Sequence, residues 1–356
     1  MRLEPEMTQT LTLRQPDDWH LHLRDGAALA SLVPATAAQM GRAIVMPNLK
    51  PPVTTTEMAL AYRARILAHR PADSTFEPLM TLYLTDSTPP EEVAVARNSG
   101  CVHAFKLYPA GATTNSDSGV TDLRKVRHVL EAMEREDMVL CIHGEVTDAD
   151  VDVFDRERVF VDRTLAPLVA EHPGLRIVVE HITTKEAAQF VTDARDGVGA
   201  TVTPQHLLVN RNAMLVGGIR PHYYCLPILK REEDRCALVT AATSGSTKFF
   251  LGTDSAPHAL HTKEAECGCA GCFTAVSALE LYAEAFEAAG ALQRLEGFAS
   301  LHGPAFYRLP VNEARVTLVR RPFEIPSEWA LADTVVRPWR GGTHTAWSFL
   351  RSEAAQ

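Results

Sequence analysis

The chain has 356 residues, more than one ordinary hydrophobic core usually supports, but a (β/α)8 barrel of ~250 residues with additions would fill it. Hydrophobic residues at 46% and charged residues at 22% are ordinary globular values, and no stretch offers the roughly 18 uninterrupted apolar residues of a membrane span. The net charge of −9 argues against nucleic acid as a partner, because phosphate binding needs a basic surface; an anionic small molecule would need positive charge concentrated locally.

The first ten residues, Met1 to Thr10, carry two glutamates and no apolar run, which predicts neither a secretory nor a transit peptide and hence a cytoplasmic location. Seven cysteines, an odd number spread over a long chain, fit reduced thiols better than a disulfide framework. Short apolar runs rich in β-branched residues predict strands at Trp19–Leu23, Ala43–Met46, Leu79–Leu84, Val102–Leu107, Met138–Ile142, Arg176–Glu180, Val198–Thr203 and Lys248–Leu251. Helical spacing separates most of them, at Thr56–His69, Pro90–Asn98, Thr121–Glu136, Asp162–Glu171 and Lys185–Asp193.

A Pro-punctuated insertion, Arg220-Pro221 to Leu226-Pro227, precedes a helix near Arg231–Ala242, and Phe273–Ala289 reads as one further helix after the last strand. From Val311 onward the alternation is weak. No repeat or Gly/Ser linker divides the chain. The expectation is a single domain over 1–356, an α/β (β/α)8 TIM barrel of about 11–300 with an additional C-terminal helix, loops and an extension of about 301–356.

Polar residues cluster at the carboxyl ends of those strands: His20 and His22 on the first, Lys106 on the fourth, His143 on the fifth, His181 after the sixth and Asp254 after the eighth. In a parallel barrel these ends converge on one mouth. Any one of the 14 histidines is by default a core or surface residue, but this set at equivalent strand ends points to a metal centre. Two residues apart on a strand, His20 and His22 share a face and could grip one ion.

Lys106 is the awkward member, since an ammonium has no lone pair for a cation. As a neutral amine it could react with carbon dioxide to give an anionic carbamate whose two oxygens bridge two ions. Without the histidines it would read as a charge paired with a barrel carboxylate.

The ordered segments Asp17-Asp18-Trp19-His20-Leu21-His22-Leu23-Arg24-Asp25, Met46-Pro47-Asn48, Lys106-Leu107-Tyr108-Pro109, His143-Gly144-Glu145, Glu180-His181-Ile182-Thr183-Thr184 and Gly252-Thr253-Asp254-Ser255-Ala256-Pro257-His258 resemble those of the dihydroorotases, in their compact bacterial single-enzyme form. The likeness runs from about Leu11 to near Trp347 and includes Thr203-Pro204-Gln205-His206 and Leu226-Pro227-Ile228-Leu229-Lys230. A lone His-x-His would be a weak sign, shared by many amidohydrolases; the ordered set is specific.

The resemblance implies reversible interconversion of dihydroorotate and N-carbamoyl-aspartate, a small anionic substrate pair of de novo pyrimidine biosynthesis. It implies two zinc ions (Zn2+), one on His20, His22 and Asp254 and the other on His143 and His181, bridged by carbamylated Lys106 (N6-carboxylysine). A bridging hydroxide would attack the amide, with Asp254 as general acid/base. The substrate carboxylate would meet Arg24, Asn48 and His258, and backbone near Leu226 and Ala270 would reach the ring. A homodimer is compatible with this reading.

Gly111-Ala112-Thr113-Thr114-Asn115-Ser116 is small and polar, as suits a loop that closes over a site, and the resemblance places Thr113 and Thr114 on the ligand. Gly111 replaces the asparagine expected there, which leaves the loop's resting position open. Cys267-Gly268-Cys269-Ala270-Gly271-Cys272 invites a separate metal knot, but it lacks an obvious fourth ligand unless Cys225, His258 or His261 folds close, so a reduced loop is favoured. The rival readings are another cyclic amidohydrolase of hydantoinase or allantoinase type, a catalytically silent structural subunit, and a thiol metal-storage module.

Overall fold

The computed structural model describes residues 9–266 and 268–350; of the segments singled out above, Met1 to Thr8, Cys267 and the end of the extension, 351–356, lie outside them. Eight parallel strands form the barrel: β1 (Asp17–Leu21), β2 (Arg42–Val45), β3 (Glu77–Leu84), β4 (Val102–Leu107), β5 (Val139–His143), β6 (Ile177–Glu180), β7 (Val198–Val202) and β8 (Phe249–Leu251). They are paired in chain order. Nearly all their residues are buried, because helices cover the outer face and side chains fill the inside, and this is why the strands are legible as apolar runs.

The seam between β1 and β8 is made by the candidate site residues themselves. Asp254 N donates to His20 O and His22 N to Ser255 O, each at 2.9 Å, with Leu21 and Ser255 bridging in parallel. Gly252 permits this approach, since a Cβ there would lie 2.6 Å from Thr201 Cβ and 3.2 Å from His20 Cβ. The pairing of β1 with β2 shifts register between Asp18 and Leu21. That irregularity lets consecutive residues face inward, Trp19 into the barrel floor and His20 into the mouth above it.

The helices expected from spacing are present, among them Thr56–Ala68, Glu91–Asn98, Arg127–Arg135, Lys185–Asp193, Glu232–Thr243 and Ala278–Ala288. The helix expected from Asp162 starts earlier, at Arg156, and passes through a π turn at Val161–Leu165 before ending at Glu171. Leu29–Ala37 is a helix that the spacing did not announce; it carries Pro34 inside it.

The extension closes the barrel from below. Tyr307 stacks on Trp19 with ring centroids 4.5 Å apart, and its hydroxyl lies 3.3 Å from Cys141 Sγ. Beyond it the chain is more ordered than its sequence suggests: Arg315–Val319 pairs antiparallel with Thr10–Arg14 and with Ser348–Phe349. Among the described residues no helix is long and apolar enough to cross a membrane.

Candidate active site

The carboxyl ends of the strands converge as expected. His20 Nε2 and His22 Nε2 lie 3.3 and 3.2 Å from Asp254 Oδ1, so these three form one group able to hold a cation. His181 sits across from them, its ring centroid 4.8 Å from His20 and 4.9 Å from His143. Glu145 takes His143 Nε2 at 2.8 Å, leaving Nδ1 as that ring's remaining nitrogen. Lys106 lies fully buried beneath, its ammonium against Glu180 and 4.9 Å from the Tyr108 ring centre.

Glu180 is the residue that sequence reasoning left without a role. Its carboxylate stands between Lys106 Nζ and His20 Nδ1, the latter at 3.0 Å, and with His20 and His181 it forms a second group able to hold a cation. Period-two alternation hides it, because Glu180 and His181 are neighbours and should face opposite ways. The backbone at His181 turns left-handed, φ +41°, and brings both to the centre. Asp254, at φ +46°, and Arg24, at φ +57°, turn in the same way. Such residues cost ~1–3 kcal/mol each and persist where surrounding structure holds them, commonly at functional sites.

Electrostatics favours lone pairs over positive charge here. Burial pushes His22 down to about 4, and burial with the Lys106 charge lowers His20; His181 lies well below its ordinary value for the same first reason. Burial alone would raise Asp254, but hydrogen bonds from His20 and His22 outweigh it and hold the carboxyl well below the usual range. Burial also brings Lys106 down to about 7, so its neutral amine is accessible near neutrality.

Of these buried atoms, His22 Nδ1 and His181 Nδ1 have no hydrogen-bond partner among the described residues, while both His20 nitrogens, Lys106 Nζ and both Glu180 oxygens are met only by one another and by Asp254 in close ion-pair contact. Buried polar groups are ordinarily satisfied. A knot of neutral imidazoles and carboxylates with unspent lone pairs is a donor set for divalent cations, and the residues fit that group.

Around this knot, the same cavity is walled by Arg24, Asn48, Thr113, Thr114, Leu226, His258 and Ala270, together with Tyr108, Ala256 and Gly271. Every candidate except the deeper Lys106 reaches its surface. β1 ends at Leu21, so the left-handed turn at Arg24, and not a continuing strand, aims this side chain. Its Nε donates to Pro257 O at 2.9 Å and an Nη lies 3.0 Å from His258 Nε2, while Asp25 is occupied by Arg65 at 2.8 Å. Burial and the Arg24 charge push His258 down to about 2, so this imidazole is neutral and accepts from Arg24.

The Gly111–Ser116 loop rests over the cavity. Asn48 Nδ2 donates to Thr114 O at 3.0 Å, and Tyr83 and Asn115 add ties at 3.2 and 3.1 Å. Gly111 has φ +78°, a conformation that glycine and asparagine both accept, so glycine here is compatible with the backbone an asparagine would take. Leu226 is positioned from behind by His206, whose Nε2 lies 3.0 Å from Pro227 O. Cys272 donates to His222 O at 3.4 Å and Cys225 to Pro227 O at 3.5 Å; among the described residues these thiols enter no group of three metal donors. A wider cleft on the barrel flank, lined by Arg124, Glu131, Glu134 and Arg163, contains none of the candidate residues.

Comparison with known proteins agrees with this geometry. The model of the Amidohydrolase family matches residues 18–312. Dihydroorotases of Cupriavidus metallidurans and Aromatoleum aromaticum are each 64% identical, covering 96% of this chain and 99 and 100% of their own. Among solved structures, dihydroorotase from Campylobacter jejuni superposes with a TM-score of 0.89 at 34% identity, covering 97% of this chain and 99% of its own. The Saccharomyces cerevisiae dihydroorotase in complex with 5-fluoroorotic acid gives 0.89 at 31%, covering 96 and 98%. The L-hydantoinase of Arthrobacter aurescens, at 0.75 and 16% identity over 95% of this chain and 87% of its own, shares the fold. The chain belongs to the amidohydrolase family, and within it to the dihydroorotases.

Proposed function

We propose that this protein interconverts L-dihydroorotate and N-carbamoyl-L-aspartate in the cytoplasm, as a step of pyrimidine biosynthesis. The reading rests on one observation above the others: a guanidinium held by Pro257 and His258 faces the same cavity as the His, Asp and Lys cluster. It places positive charge beside a metal-type donor set in a protein of net charge −9. A ring amide bearing a carboxylate matches both halves; a hydantoin or allantoin leaves the guanidinium without a partner.

His20, His22 and Asp254 would hold one zinc ion and His143 and His181 another, with Lys106 as its carbamate between them. Bound metals supply charge that polarises an amide carbonyl and acidifies water. The remaining work belongs to the protein. Arg24 keeps N–H groups free for the substrate carboxylate, with Asn48 and His258 beside it. Backbone at Leu226 and Ala270 aligns the ring, and Thr113 and Thr114 cover it. An Asp254 carboxylate oxygen accepts the proton from the attacking water and returns it to the departing ring nitrogen.

Turnover assayed in both directions, on dihydroorotate and N-carbamoyl-aspartate, with metal content measured on the same sample, tests this. Conversion of hydantoin or allantoin with dihydroorotate inert would move the assignment to another cyclic amide.

A further inference from the structure

Lys263 is 3% exposed, yet no carboxylate among the described residues pairs with it. Its Nζ donates to three backbone carbonyls instead, Tyr224 O at 2.8 Å, Cys269 O at 2.7 Å and Gly271 O at 2.9 Å. Three acceptors at these distances use all three N–H bonds of an ammonium, one more than a neutral amine carries. The group is therefore held charged, although burial lowers its affinity for the proton.

The carbonyls come from two separate segments. Tyr224 lies two residues before Leu226, and Cys269 and Gly271 flank Ala270. Leu226 and Ala270 both wall the cavity. The segments also meet directly, Gly271 N donating to Tyr224 O at 3.0 Å. Gly271 has φ +150°, and a Cβ on it would lie 2.6 Å from Ala256 O, so the chain passes here too close to Ala256 for any side chain. The Lys263 charge is also felt within the cavity, where it disfavours protonation of His258.

We propose that Lys263 is a positioning residue for the reaction: its ammonium clamps Tyr224 to Leu226 against Cys269 to Gly271 and so fixes the distance between Leu226 and Ala270 across the substrate. This rests on the dihydroorotase reading, which makes those two residues substrate contacts. Lysine suits the task because an ammonium gathers three carbonyls around one point, whereas a planar guanidinium would splay them.

The test compares wild type, Lys263→Met and Lys263→Gln, each loaded with zinc, by steady-state kinetics on dihydroorotate with metal content and thermal melting on the same samples. Lys263→Met is expected to raise KM by about tenfold with zinc retained and a smaller change in kcat, as loss of aligning contacts does. Lys263→Gln keeps two N–H donors and is expected to fall between Met and wild type. A merely stabilising lysine would lower the melting temperature and leave KM of the folded protein alone; that result overturns the proposal. If Lys263→Met does not fold, Lys263→Gln decides, a raised KM supporting the clamp and a wild-type KM refuting it. Wild type inert towards dihydroorotate overturns the substrate reading itself, and the clamp with it.

Discussion

Asn48 and Thr114 are joined by a hydrogen bond of 3.0 Å from a side-chain amide to a backbone carbonyl, which ties the loop after β4 to the end of β2. The bond uses the Thr114 backbone, so its hydroxyl is not needed to keep the loop in place.

On the proposed function, holding the loop in place and touching ligand are therefore separable. Thr113→Ala with Thr114→Ala should leave metal content intact and lower kcat/KM by about tenfold, the worth of a lost hydrogen bond or two to ligand. Asn48→Ala should loosen the loop itself and raise its susceptibility to limited proteolysis, which the threonine pair should not. Wild-type kinetics in the double variant would return Gly111–Ser116 to an ordinary surface loop.

Lys106→Ala should lose activity and at least one metal per chain. In the metal-free, uncarbamylated protein the substitution would also leave Glu180 a buried carboxylate without its cation, and breaking such a pair costs ~3–5 kcal/mol. A lower melting temperature should accompany the metal loss. A short carboxylate such as acetate is expected to restore part of the activity by standing in for the carbamate oxygens. Full metal content and full turnover in Lys106→Ala would rule out a carbamate bridge.

How far such a centre can be read from sequence depends on what local periodicity conveys. The eight barrel strands were legible because each is buried on both faces, and the strand-end histidines were legible because His20 and His22 obey the period of two. The same period concealed Glu180, since the left-handed backbone at His181 breaks it, and it says nothing of the turn after Leu21 that carries Arg24 into the cavity. The helix Leu29–Ala37 stayed hidden behind its internal Pro34 and small residues. The tail after Val311 gave weak signals because Arg315–Val319 finds its partner in Thr10–Arg14, some three hundred residues away, and no local pattern records a pairing at that range. Lys263 carries no motif at all; only the meeting of Tyr224, Cys269 and Gly271 around it shows its place.

Asp254→Asn keeps the shape of a side chain that bonds both His20 and His22 but removes its charge and its capacity to take a proton. Turnover should fall by about 10²–10⁴-fold, the usual worth of a positioned proton carrier. Melting should change far less than turnover, and kcat should stay low after the protein is reloaded with zinc and its metal content verified. Wild-type turnover in Asp254→Asn would assign the proton to another group.

On the proposed function, selection of an anion by an acidic protein would fall to Arg24. The neighbouring carboxylate, Asp25, is taken by Arg65, so the guanidinium has no carboxylate ion-pair partner among the described residues and is aimed by Pro257 and His258. A guanidinium fork fits a carboxylate bidentately. Arg24→Met should raise KM for dihydroorotate and lower kcat, because the anchored carboxylate also fixes the ring for reaction. Zinc content should not change, since no metal candidate leans on Arg24. Losing a charge-assisted hydrogen bond costs ~1.5–3 kcal/mol, so kcat/KM should fall at least about tenfold. Binding of an uncharged analogue lacking the carboxylate should be nearly indifferent to the substitution. If Arg24→Met weakened charged and uncharged ligands alike with metal retained, the residue would be supporting the barrel rim, and the carboxylate-bearing substrate would lose its main structural argument.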